Sequence, residues 1–201
     1  VAPPHVARPH AFDPSQVSAG MARLDSAEIY YAWHDYPSVV RVLSASGTAR
    51  PRAQVLLGWS LYRLDRMPEA VQAFAAGLAV APENLDLMNG HAFALYRGGR
   101  AAEAEAEFRQ LLARNPEREE SVRGLEAVLF TSQRFAECLP IADGLLRAHP
   151  GEEETESHLV KSVDGMLSAW RTAGKTPADM VADAWRLASA GNRRSAFEMF
   201  R

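Results

Sequence analysis

Pro82, Pro116 and Pro150 stand 34 residues apart, and each closes a stretch in which the same residue types return at the same places. A period of this length marks one supersecondary unit copied along the chain, which buries its apolar face only against its own copies. With Pro51 as place 1, the stretch 51–84 carries Leu57, Gly58, Leu61, Ala70, Phe74, Leu78 and Pro82 at places 7, 8, 11, 20, 24, 28 and 32. The stretch 85–118 sets Ala92, Leu95, Gly99, Ala104, Phe108, Leu112 and Pro116 in the same register. A third, 119–152, gives Leu125, Leu129, Phe135, Cys138, Ala142, Leu146 and Pro150.

Within each unit, segments such as 55–64 and 69–80 place apolar residues three and four apart, the spacing of one helical face. About a dozen residues are too few for a helix to stand alone, so each stripe must pack on a neighbour. Gly58 or Ala92 on the first helix, and Ala70, Ala104 or Cys138 on the second, let two backbones approach closely. Asp65-Arg66 and Gly98-Gly99 break the helix between them, and the prolines begin each new connection because proline does not continue a helix interior.

These residues resemble the tetratricopeptide repeat, whose pattern runs from a large residue through Leu-Gly, a Tyr-like residue, Ala and an aromatic to Ala and Pro. The usual Trp at place 4 is replaced by Gln54, Met88 and Val122, and the glycine at place 8 by Ala92 and Glu126. The resemblance implies an all-α fold: an α-solenoid of antiparallel helix pairs wound as a right-handed superhelix. It also implies that places 2, 5, 9, 12 and 13 line a concave groove. Carried over residue by residue, the candidate contacts are Tyr31, Trp59, Tyr62, Arg63, Asn89, Phe93, Tyr96, Arg97, Arg123 and Phe130. Place 12 is aromatic four times, at Tyr31, Tyr62, Tyr96 and Phe130. Two readings of that stripe stand side by side: rings that wedge adjacent helices, and rings that with arginine bind an extended peptide or a partner helix. A clamp for a C-terminal carboxylate is not expected, since places 5 and 9 hold Leu24, Glu28, Val55, Trp59, Phe93 and Ala127, and only Asn89 and Arg123 suit that task.

Outside the three units the pattern weakens. Residues 20–50 read as a degenerate repeat, with Ala27, Tyr30, Val39, Leu43 and Pro51 at places 8, 11, 20, 24 and 32, and with Met21 on the inner line. Residues 1–19, rich in proline, suit an extended arm, and the start Val-Ala-Pro-Pro suits a cleaved export product or a trimmed chain. The period is expected to slip after Pro150: 153–176 read as an irregular helix and linker, with a helix over 152–173 interrupted by Gly174-Lys175-Thr176-Pro177. Residues 177–201 read as a partial further repeat, with Ala184, Leu187, Ala196 and Phe200 in register, or as capping helices. A repeat array cut there leaves an apolar face, so a fragment of a longer protein, or self-association through that face, is the expectation.

Chemistry is sparse. His5, His10, His34, His91, His149 and His158 share no metal-ligand spacing, and the nucleophile-elbow, phosphate-loop and dinucleotide glycine patterns are missing. Cys138 takes the place of a small core alanine, His91 that of Leu57 and Leu125, and Glu152 to Glu156 reads as a solvated helix start. The chain is therefore read as a non-enzyme with no cofactor and no metal. A net charge of -3, with 25 acidic against 22 basic residues, argues against nucleic acid, and no apolar run is long enough to span a membrane. The partner expected is a protein or peptide, within a larger bacterial assembly in the periplasm or the cytoplasm. The Ala- and Arg-rich repeats are similar in composition to bacterial secretion and exopolysaccharide-export scaffolds. The alternatives are a polysaccharide ligand for the aromatic groove, and a regulatory arm for an enzyme domain outside these residues.

Overall fold

Helix starts recur at the spacing of the sequence repeat, so the period is reproduced in three dimensions. A computed structural model describes residues 23–45 and 50–189. The expected arm 1–19, Met21, Ala196 and Phe200 lie outside the described residues. Among these, ten helices and no strand occur: α1 (Arg23–Ala32), α2 (Tyr36–Ser44), α3 (Pro51–Arg63), α4 (Met67–Val80), α5 (Leu85–Arg97), α6 (Ala101–Arg114), α7 (Glu119–Thr131), α8 (Phe135–Ala148), α9 (Glu153–Thr172) and α10 (Pro177–Ser189). The first helices α3, α5, α7 and α9 start at 51, 85, 119 and 153, one period apart each time. The register of helix starts thus persists beyond Pro150. What changes is the length of α9, 20 residues where α7 has 13, so the next turn is displaced and α10 starts at Pro177. Proline suits a first helical turn, and Thr176 and Asp179 cap it reciprocally, with backbone N–H to side-chain oxygen distances of 3.3 and 3.0 Å.

One turn recurs five times. His34, Asp65, Gly99, Gln133 and Gly174 adopt left-handed φ values of 58, 60, 80, 57 and 71°. The residue after each donates its N–H five positions back, to Tyr30, Leu61, Leu95, Leu129 and Trp170, at 2.9 to 3.0 Å. These are Schellman closures, which satisfy the last carbonyls of one helix and reverse the chain into the next.

The chain divides into two compact units, residues 1–87 and 88–201, with the boundary inside α5. In the first, Ala27, Tyr30, Val39, Leu43, Ala53 and Leu56 form a core from α1, α2 and α3. The Phe74 ring of α4 lies over Gly58 of α3 so closely that a Cβ there would meet it at 2.6 Å. Full burial of that ring contributes about 2–3 kcal/mol. In the second unit, Phe108 of α6 sits on Gly124 of α7, and Leu139, Ala142 and Leu146 of α8 pack on Leu159, Val163 and Met166 of α9. Ala70, Ala104 and Cys138, the small residues at place 20, have no exposed surface. Helix-on-helix packing of this kind positions the side chains of the first helices.

Candidate functional site

In the unit 1–87, helix α3 carries Trp59, Tyr62 and Arg63 near its C-terminal end, with α1 supplying Tyr31. Trp59 is half-buried, with Tyr62 edge-on at 5.3 Å between ring centroids and Phe74 at 5.5 Å. Tyr31 meets Tyr36 edge-on at 5.7 Å. Burial pushes the Tyr31 hydroxyl above its usual pKa, Tyr36 adds to that, and the charges of Arg63 and Arg52 oppose it. Arg52 is itself engaged by Glu28 at 2.9 Å, which ties α3 to α1, while Arg63 is exposed.

In the unit 88–201 the predicted residues separate into two groups. Phe93, Tyr96 and Phe130 are half-buried and Arg97 is exposed. Phe93 meets Phe108 edge-on at 5.0 Å. The Tyr96 hydroxyl donates to the Ala127 carbonyl at 3.3 Å and shares a hydrogen bond with the Thr131 hydroxyl at 2.7 Å, pinning α5 to α7. Phe130 stacks on His158 at 4.0 Å and 18°. Asn89, by contrast, is 4% exposed and accepts a hydrogen bond from Ser121 at 3.0 Å. Arg123 is held between Glu119 and Glu152, with hydrogen bonds to both. Asn89 and Arg123 therefore serve the contacts of α5, α7 and α9, and the rings serve packing with part of their surface left to solvent.

The partners of several groups are not legible in the sequence. Glu126, at the place where Gly58 stands in the first unit, is buried on α7 and sets both carboxylate oxygens 3.1 Å from His158 Nδ1 on α9. The Cys138 thiol points at the same carboxylate at 3.4 Å. Burial, and next Glu126, push that thiol up to about 12, so it stays protonated at neutral pH and is a packing group. His91 Nδ1 lies 2.8 Å from Glu107 across α5 and α6. Among the described residues no group of three His, Cys, Asp or Glu side chains is placed to hold a metal ion.

A second periodic pattern sits at the start of each second helix. Arg66, Arg100 and Arg134 occupy N-cap positions and reach forward to Glu69, Glu103 and Glu137 with paired hydrogen bonds of 2.5 to 2.8 Å. The arginine hydrogen bonds hold those three carboxyls below the usual glutamate range. Their spacing of 34 was visible in the sequence, at places 16 and 19. Glu105 of α6 joins Arg109 at 2.9 Å and Arg134 of α8 at 2.6 Å, so this pattern also ties α6 to α8.

A family model described as tetratricopeptide repeat matches residues 61–129. No curated protein sequence matches the chain. Among solved structures the chain is similar in fold to MamA of strain AMB-1, with a TM-score of 0.66 and 16% identity over 73% of this chain and 88% of that one. It is also similar to YrrB, described as a TPR protein with an unusual peptide-binding site, with a TM-score of 0.61 and 14% identity over 88% of this chain and 80% of that one. No helix among the described residues is long and apolar enough to cross a membrane. Residues 61–129 are tetratricopeptide repeat, and the chain has the helix-pair fold of the tetratricopeptide repeat proteins.

Proposed function

We propose that this chain is a non-catalytic interaction scaffold that binds a peptide or a partner protein through first-helix side chains of each unit. One observation carries the reading. On both α3 and α5 a half-buried aromatic cluster is followed directly by an exposed arginine, Trp59 and Tyr62 by Arg63, and Phe93 and Tyr96 by Arg97. Rings already packed on one side offer rigid contact area at little further entropy cost, and a guanidinium at their edge supplies directional donors. Asn89 and Arg123 are left out of the contact set because their polar groups are already engaged. The peptide site named for YrrB is a property of that protein, and it supports a peptide ligand here only by likeness of fold. A place in a larger bacterial assembly accords with the Ala- and Arg-rich composition of the repeats.

The test uses the purified chain as bait, identifies the bound protein, and titrates the isolated binding segment by calorimetry. Arg63→Ala and Arg97→Ala, exposed and remote from the core, are each expected to weaken binding about tenfold, and Trp59→Ala more. Affinity unchanged by all three would place the partner on another face. Tryptophan fluorescence that responds to oligosaccharides at millimolar concentration, and loses the response in Trp59→Ala, would replace the protein ligand by a polysaccharide.

A further inference from the structure

The unit 88–201 carries a groove lined by none of the aromatic residues described above. It is an open trough of about 450 Å³ between the end of α6, the start of α7 and one side of α8. Leu112, Val122, Ile141 and Leu145 line it, together with Pro140 and Gly144 of α8. These two lie one helical turn apart, so they share a stripe that carries no long side chain. At the same places α6 carries Ala106 and Gln110, and α4 carries Gln72 and Ala76. A Cβ added at Gly144 would find nothing within 4 Å, so the space over it is open.

Charge decides what fits. No basic side chain lines the groove, whereas Glu117 and Glu119 stand at its rim. The Glu119 carboxylate is occupied by Arg123 at 2.8 Å and by His149 at 2.9 Å. Glu117 is exposed and takes part in no hydrogen bond or ion pair among the described residues. An apolar trough with one unengaged carboxylate at its lip matches an apolar side chain that has a cation beside it.

We propose that this groove is a docking site for a partner peptide segment in which an aliphatic side chain is flanked by arginine or lysine, the aliphatic group entering over Gly144 and the cation pairing with Glu117. Its lining shares no residue with the aromatic and arginine set proposed above. Burial of one leucine supplies most of the binding, and the exposed ion pair adds selectivity more than affinity.

The chain has two isoleucines, Ile141 in the groove and Ile29 on α1, so methyl labelling of isoleucine gives one reporter at the site and one away from it. The probes are short blocked peptides with a central leucine flanked by arginines, the same leucine flanked by glutamates, and a serine flanked by arginines. The arginine–leucine peptide is expected to shift the Ile141 methyl resonance with saturation and to leave Ile29 in place. The other two are expected to bind at least about tenfold more weakly. Gly144→Gln, which fills open space, is expected to abolish the Ile141 response. Glu117→Gln is expected to reduce the preference for arginine over glutamate about threefold or more. An Ile141 resonance unmoved by millimolar arginine–leucine peptide overturns the proposal, as does an equal response to the glutamate peptide. An Ile141 shift that depends on protein concentration without peptide, and vanishes in Gly144→Gln, overturns it in favour of a second copy of this chain.

Discussion

Four residues in left-handed backbone show how much of this fold rests on single turn positions. Asp65, Gly99 and Gln133 occupy equivalent places in successive repeats, and His34 the matching place before them, yet only one of the four is glycine. An L side chain in this conformation costs about 1–2 kcal/mol, while glycine loses about 0.5–1 kcal/mol of extra chain entropy on folding. The first term exceeds the second. Gln133→Gly is therefore expected to stabilise the protein by about 0.5–1 kcal/mol, and Gly99→Ala to destabilise it by about 1 kcal/mol, both read by chemical denaturation. A loss of stability in Gln133→Gly would mean that the Gln133 side chain contributes more than its backbone strain removes. The sequence marks Gly98-Gly99 as a turn because glycine pairs are punctuation. It does not mark Gln133, whose conformation is imposed by the helices on either side.

At the scale of helices, two polar devices differ in how far they can be read in advance. The Arg66–Glu69, Arg100–Glu103 and Arg134–Glu137 pairs are local and periodic, and residue types three apart suffice to find them. Their carboxyls titrate below the ordinary value of 4.5, chiefly through the arginine hydrogen bonds. A lowered folded-state pKa gives stability that is present above the unfolded value and is lost as the pH falls through the folded one. Melting temperature is thus expected to hold from neutral pH to about 5 and to fall below about 4.5, less steeply in high salt. A melting temperature flat down to pH 3 would deny these pairs any part in stability.

The contact of Glu126 with His158 is different, since it joins α7 to α9 across 32 residues and depends on α9 lying where it does. The departure at place 8 was legible as a glutamate where a glycine belongs; its partner was not. His158→Ala leaves a buried carboxylate without that partner, and is expected to cost about 2–4 kcal/mol. Glu126→Ala combined with His158→Leu is expected to recover most of that loss by making the contact apolar. Equal destabilisation by the single and the double variant would show that packing around Phe130, and not the buried charge, sets the cost.

For the whole molecule, the period says where helices start and leaves open what their faces do. The placing of Trp59, Tyr62, Phe93 and Tyr96 on first helices follows from register, because residues at one place share one environment in every repeat. That the rings contact Phe74 and Phe108 edge-on, and that Asn89 and Arg123 are engaged elsewhere, depends on tertiary neighbours that no spacing contains. The groove over Gly144 is further from legibility still, since it arises from side chains that are missing. Stability in such an array is a sum of neighbour contacts, so damage is expected to stay near its source. Gly58→Ala provides the test. The new Cβ meets the buried Phe74 ring at 2.6 Å, and overpacking of about 1–3 kcal/mol exceeds the gain of about 1 kcal/mol from replacing a helical glycine. Native-state hydrogen exchange is expected to show lost protection at amides of α3 and α4, with little change at α8 and α9. Equal loss along all four helices would mean that the chain opens as one cooperative body, and that repeat-by-repeat additivity does not describe it.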